Sequence, residues 1–190
     1  MFKETSKELL DFLSKSPTAF HAVENYRQIL NADGFKELLE SEHWDIVPGG
    51  KYYVTRNNTS ILAFKVGTKL DNYSFNIVTS HTDSPTFKVK ENAEIEVKNK
   101  YTQLNTEGYG GMLCATWLDR PLSIAGRVLV SEGNSIVTKL LNIDRDLLMI
   151  PNVAIHMNRA ANDGFKYNLQ VDMLPLLSAG DDRQKDRSEE

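Results

Sequence analysis

A single cysteine, Cys114, is all the thiol that the 190 residues contain. No internal disulfide framework can form, and the composition fits a reducing, cytoplasmic setting. An excess of one charge is lacking too, since 22 basic and 26 acidic residues leave a formal net charge of −4. That provides no field for nucleic acid or for an acidic membrane surface. No apolar run approaches the roughly 20 residues that span a bilayer. The opening stretch, Met1 to Leu13, is too charged for a secretory signal and reads as an amphipathic helix. Gly-x-Gly-x-x-Gly, the phosphate loop, Gly-x-Ser-x-Gly and His-Glu-x-x-His are all absent. What is present, 41% hydrophobic and 25% charged residues, is ordinary for a globular chain that buries a core in one or two domains.

Leu9, Leu10, Phe12 and Leu13 share one helical face, away from Lys3, Glu4, Lys7 and Glu8. Ser16-Pro17 resets the chain, with serine as N-cap and proline at the first position of a second helix. That helix turns Phe20, Val23, Tyr26 and Leu30 inward and stops at Gly34. Pro48-Gly49-Gly50 makes a turn. Tyr52–Thr55 and Ser60–Val66 form a hairpin across Asn57-Asn58. Phe75–Ser80 is predicted as a further strand, ending at His81-Thr82-Asp83-Ser84-Pro85.

Beyond this point the texture changes. Phe87–Lys90 and Glu94–Lys98 alternate apolar and charged residues, as half-exposed antiparallel strands do. Tyr109-Gly110-Gly111 is a turn, and strands are predicted over Leu122–Val130 and Ile136–Ile143. The fold class is therefore α/β. Residues 1–85 form a helix-plus-sheet segment, residues 86–177 a β-rich segment, and residues 178–190 an acidic tail without an apolar anchor, expected to be disordered.

Chemistry must come from few residues. His21 lies within a predicted helix and His43 in a charged connector, and both read as packing or surface histidines. Cys114, beside Leu113 and Ala115, reads as a buried thiol, and Asp119-Arg120 as a structural ion pair. His81 differs because it follows an apolar strand directly, the place where open α/β sheets carry their sites. Asp83, two residues on, can fix the tautomer of a metal-binding imidazole or position a catalytic group. The pattern alone does not decide between a metal site and a polar turn. His156 ends an apolar approach, Ile150–Ile155, and precedes Asn158 and Arg159. It can point into a site or bond within a loop.

Taken in order, the segments resemble one known family. Ser16–Val23 is similar to its amino-terminal helix motif, Lys51–Asn57 to its first strand, and Ser80–Pro85 to its first metal motif. Tyr109-Gly110-Gly111, Thr116–Arg120 with Ala125–Val128, and Ile150-Pro151 with Ala154–Arg159 resemble further signatures. Asn162–Phe165 through Leu174-Pro175 continues the likeness. The family is that of aspartyl aminopeptidase and vacuolar aminopeptidase I. Met112 and Pro121 depart from its pattern, where many relatives have glycine and an acid.

The resemblance implies a partial zinc-exopeptidase catalytic domain of helices and mixed sheet, followed by a β-rich assembly domain that makes a homo-oligomer. It implies a peptide substrate, while the charge balance and the lack of a spanning run speak against nucleic acid and membrane as partners. It implies removal of an amino-terminal residue, acidic in some members, at a site holding two zinc ions. His81 matches the zinc ligand and Asp83 the supporting catalytic acid. His156 matches a histidine that binds metal or reaches a neighbouring subunit's site. The bridging aspartate, a glutamate pair, a later aspartate and a final histidine match no segment of this chain. The expectation is therefore an incomplete, inactive portion of a zinc aminopeptidase, the alternative being a non-catalytic assembly module derived from it.

Overall fold

A computed structural model describes residues 2–71 and 74–179. The helices are α1 (Phe2–Ser14) and α2 (Ala19–Ala32). Short strands β1 (Lys36–Glu37), β2 (Lys51–Arg56) and β3 (Ser60–Lys65) follow, then the long pair β4 (Thr86–Val97) and β5 (Tyr101–Tyr109). After a 3-10 turn at Cys114–Trp117 come β6 (Pro121–Leu122), β7 (Ala125–Glu132) and β8 (Ser135–Asn142). The last are β9 (Leu148–Met149) and β10 (Leu176–Ala179). The chain divides into two compact units, residues 1–84 with 125–142, and residues 85–124 with 143–190. Residues 125–142, which the sequence places within the β-rich segment, thus group with the first unit.

In the first unit α2 starts at Thr18, not at Ser16. The Thr18 hydroxyl accepts from the His21 amide at 3.4 Å and lies 2.8 Å from His21 Nδ1. Ser16 serves the preceding corner instead, where Asn25 Nδ2 donates to its hydroxyl at 3.0 Å and to the Lys15 carbonyl at 2.8 Å. The predicted stop holds. Gly34 takes φ +81°, and the amides of Gly34 and Phe35 return to the carbonyls of Asn31 and Leu30. Val23 and Ala22 are buried, whereas Phe20, Tyr26 and Leu30 are half-buried. Phe12 of α1 stacks on Tyr26 with centroids 4.7 Å apart.

The sheet order is β1-β2-β3, with β1 parallel to β2 and β2 antiparallel to β3. Asn57 and Asn58 close the β2–β3 hairpin at φ +51° and +54°, a region that asparagine tolerates better than most residues. Tyr52 and Tyr53 are both buried although they face opposite ways along β2. Tyr52 packs on Phe64 and leaves no room at Gly50, where a Cβ would fall 2.4 Å from its ring. Tyr53 donates to Asn31 Oδ1 at 3.0 Å, and Glu37 of β1 receives Arg27 Nη2 at 2.8 Å. These links join α2 to the sheet. The Glu37 carboxylate also raises the Arg27 pKa. In the same unit β7 and β8 pair in register from Ala125↔Asn142 to Glu132↔Ser135 around Gly133.

One expected strand is missing. Residues 74–85 form no ladder, and Phe75, Ile77 and Val78 are 79%, 78% and 97% exposed. A strand needs a neighbour for its amides and carbonyls, and none of the described strands pairs with this segment.

The second unit is a five-stranded antiparallel sheet in the order β4-β5-β10-β9-β6. The two predicted alternating segments fuse into the single strand β4, with an irregularity in register between Val89 and Glu94. Lys98 and Asn99, at φ +51° and +55°, turn it into β5. Along β5, Thr102, Leu104 and Thr106 face a core completed by Leu148, Ile150, Met173 and Leu174. Leu122 lies in β6 against β9, so the predicted strand over Leu122–Val130 splits in two. Of the expected disordered tail, Ser178 and Ala179 belong to β10, and residues 180–190 lie outside the described residues.

Candidate metal-binding turn

His81-Thr82-Asp83 is a short turn on the first unit. His81 Nδ1 stands 3.0 Å from Asp83 Oδ1. The imidazole is otherwise open, its side chain 89% exposed against 35% for Asp83. A carboxylate accepting from Nδ1–H leaves the lone pair on Nε2, the form in which a histidine binds metal. The intervening Thr82 is half-buried and donates its hydroxyl to the Thr59 carbonyl at 2.7 Å, at the end of the β2–β3 turn. Arg127 of β7 reaches the same turn. Its Nη1 donates to the carbonyl and Oδ1 of Asn57 at 3.3 and 3.2 Å, while the guanidinium lies 4.4 Å from the Phe20 ring centroid. Sequence reading singled out His81 and Asp83 and missed Thr82. The signal was present, because in an extended turn the residue between two outward side chains faces inward.

The other candidates lie elsewhere. His156 is exposed in a loop of the second unit, among Val153, Ile155 and Met157, which are 55%, 48% and 78% exposed. His43 stands 3.7 Å from Asp45, both open to solvent, as a surface histidine does. His21 packs at the start of α2, where burial lowers its pKa. Cys114 is half-exposed rather than buried, and at the other end of the 3-10 turn Trp117 meets Phe87 edge-on at 5.1 Å. Asp119 and Arg120 serve different backbone partners. Asp119, at φ +55°, accepts from the Asn152 amide at 2.8 Å, and Arg120 donates to the Thr116 carbonyl.

As a donor set the turn fits zinc in kind, one imidazole nitrogen with a carboxylate behind it. It does not fit in number. Among the described residues no group of three or more His, Cys, Asp and Glu is gathered.

Comparison with known proteins identifies the family of the chain. The model of the family described as "Aminopeptidase I zinc metalloprotease (M18)" matches residues 12–190. The chain therefore belongs to the M18 aminopeptidase family. It is 50% identical over 181 residues to the probable M18 family aminopeptidase 2 of Clostridium novyi, covering 94% of this chain and 42% of that protein. It is 45% identical over 177 residues to the aspartyl aminopeptidase of Dictyostelium discoideum, covering 92% and 36%. In the cryo-EM structure of the Ape4 and Nbr1 complex, a chain 39% identical superposes with a TM-score of 0.90, covering 98% of this chain and 36% of that one. The S. cerevisiae mApe1 dodecamer is 27% identical with a TM-score of 0.74, covering 95% and 40%. The chain thus spans about two fifths of the length of the curated relatives it matches.

Proposed function

We propose that this chain is the amino-terminal part of a zinc-dependent aminopeptidase that removes amino-terminal residues, acidic ones included, from peptides. Besides family membership, one observation carries the reading: His81 turns Nδ1 onto Asp83 at 3.0 Å and keeps the rest of its ring open. In this reading His81 is a zinc ligand through Nε2, and Asp83 holds its tautomer and direction. Zinc, when bound, supplies Lewis acidity and a water of lowered pKa. His156 serves a second metal or the site of a neighbouring subunit. Within the β-rich residues 86–177, those of the second unit, without 125–142, act in assembly of a homo-oligomer, a reading supported by the dodecameric relative. A cytoplasmic setting suits the lone cysteine.

The isolated chain is a separate matter. A catalytic zinc site takes about three protein ligands and an open position for water, and the described residues gather no such group. That favours a non-catalytic assembly module as the state of the chain by itself. The test compares this chain with the same sequence continued to the length of its relatives. Glutamyl and aspartyl chromogenic substrates are supplied with zinc, manganese or cobalt. The chain is expected to be silent, and the long form active until His81→Ala. Turnover by the chain that His81→Ala abolishes overturns the first expectation. A long form indifferent to His81→Ala overturns the role of His81.

A further inference from the structure

The residue between His81 and Asp83 has a task of its own. His81 is exposed, and its ring meets Asp83 through Nδ1 at 3.0 Å. Thr82 turns the other way and donates to the Thr59 carbonyl at 2.7 Å. Residues 74–84 have no ladder partner among the described strands, so backbone pairing does not fix this turn. The Thr59 carbonyl, by contrast, is well founded. The Thr59 amide returns to the Arg56 carbonyl at 3.1 Å, and Asn57 and Asn58 hold the left-handed conformation that closes the hairpin. From the far side Arg127 bonds Asn57 while resting on Phe20.

We propose that Thr82 is a positioning residue for the His81–Asp83 pair. Its hydroxyl, seated on the Thr59 carbonyl, sets the direction in which His81 Nε2 faces. The metal consequence rests on the reading of His81 as a zinc ligand, whereas the latch itself is a statement about conformation. Threonine suits the position because its hydroxyl is a directional donor and its branched Cβ limits χ1. A turn free to swing spends ordering entropy each time His81 meets an ion. A latched turn has spent it on folding.

The test uses the whole 190-residue chain with Thr82→Val, which keeps the shape and removes the donor, and Thr82→Ser, which keeps the donor. The first readout is 15N relaxation over residues 80–84. The parent and Thr82→Ser are expected to hold order parameters near 0.8, and Thr82→Val to fall below about 0.6, with the Tyr53 resonances unmoved. The second is titration with zinc alone, followed on the His81 ring resonances. Thr82→Val is expected to weaken this binding by at most about tenfold, the lower end of what losing a group bonded directly to the ligand costs, because Thr82 acts through the turn and not on the ring, and Thr82→Ser to restore it. A Thr82→Val turn as ordered as the parent overturns the latch, as does a Thr82→Ser turn as loose as Thr82→Val. Zinc bound equally by parent and Thr82→Val overturns the positioning role. If zinc leaves the His81 ring of the parent untouched, the zinc arm is read on the same sequence continued to the length of its relatives, where zinc bound equally with Thr82 and with Thr82→Val overturns the positioning role.

Discussion

Glu37→Ala should destabilise the first unit much more than Glu40→Ala, although both glutamates pair with an arginine. Glu37 accepts from Arg27 Nη2 at 2.8 Å, with Tyr53 and Thr55 hydroxyls at 3.4 Å. Arg27 and Glu37 side chains are 33% and 27% exposed, and Arg27 Nε is buried without a partner. Removing the carboxylate takes the 2.8 Å acceptor from a half-buried guanidinium and leaves it the longer bond from Nη1 to Glu24 at 3.3 Å. A hydrogen bond to a charged group is worth about 1.5–3 kcal/mol. Partial access to water discounts that, and the two long hydroxyl bonds add little. The expected loss is about 2 kcal/mol, a fall of about 1 M in the urea midpoint at an m-value near 2 kcal/mol/M. Glu40 and Arg56 form their pair in open solvent, where the arginine lowers the glutamate pKa yet water replaces the partner readily. Circular dichroism at 222 nm reports this unit selectively, because α1 and α2 both belong to it. Equal midpoint shifts for Glu37→Ala and Glu40→Ala would refute the argument that burial, rather than pairing, sets the difference.

Burial lowers the His21 pKa from 6.5, so the unfolded chain takes up that proton first. The stability His21 contributes is complete above about pH 6.5 and is lost as pH falls toward the folded value. His21→Gln should flatten the slope of melting temperature with pH across that window. Ile150 is fully buried in the second unit, and Ile150→Ala should cost about 2–5 kcal/mol, read by unfolding of the β5 amides in hydrogen exchange. The open apolar run Phe75, Ile77 and Val78 should drive self-association of the chain. Val78→Lys should lower it in light scattering, and an unchanged particle size would count against this segment.

What could be read from the sequence follows from the range of the forces involved. The Gly34 stop and the Asn57-Asn58 turn were legible because each depends on backbone conformation at one or two positions. The period-two charge pattern of β4 was legible because one face meets water. The cap at Thr18 was misplaced by two residues because Ser16 and Thr18 offer the same hydroxyl, and only the packing of Asn25 on Ser16 separates them. The two-residue strand β1 left no periodic trace. Its place comes from Glu37, which meets Arg27 and Tyr53 from elements 10 and 16 residues away in sequence.

The run Phe75–Ser80 shows the same limit from the opposite side. Apolar residues on both faces mark a strand meant to be covered twice and flanked by neighbours. Such a pattern specifies an environment, and the environment has to be supplied by other chain segments. Here the apolar run is open to solvent while the turn that follows it is held. The difference lies in one side chain, since the Thr82 hydroxyl reaches a carbonyl that a nearby hairpin already fixes. A turn can thus be held by a single directed bond while the residues leading to it pair with no described strand. The geometry of His81 and Asp83 accordingly depends on β2, β3 and β7 more than on the segment that carries them.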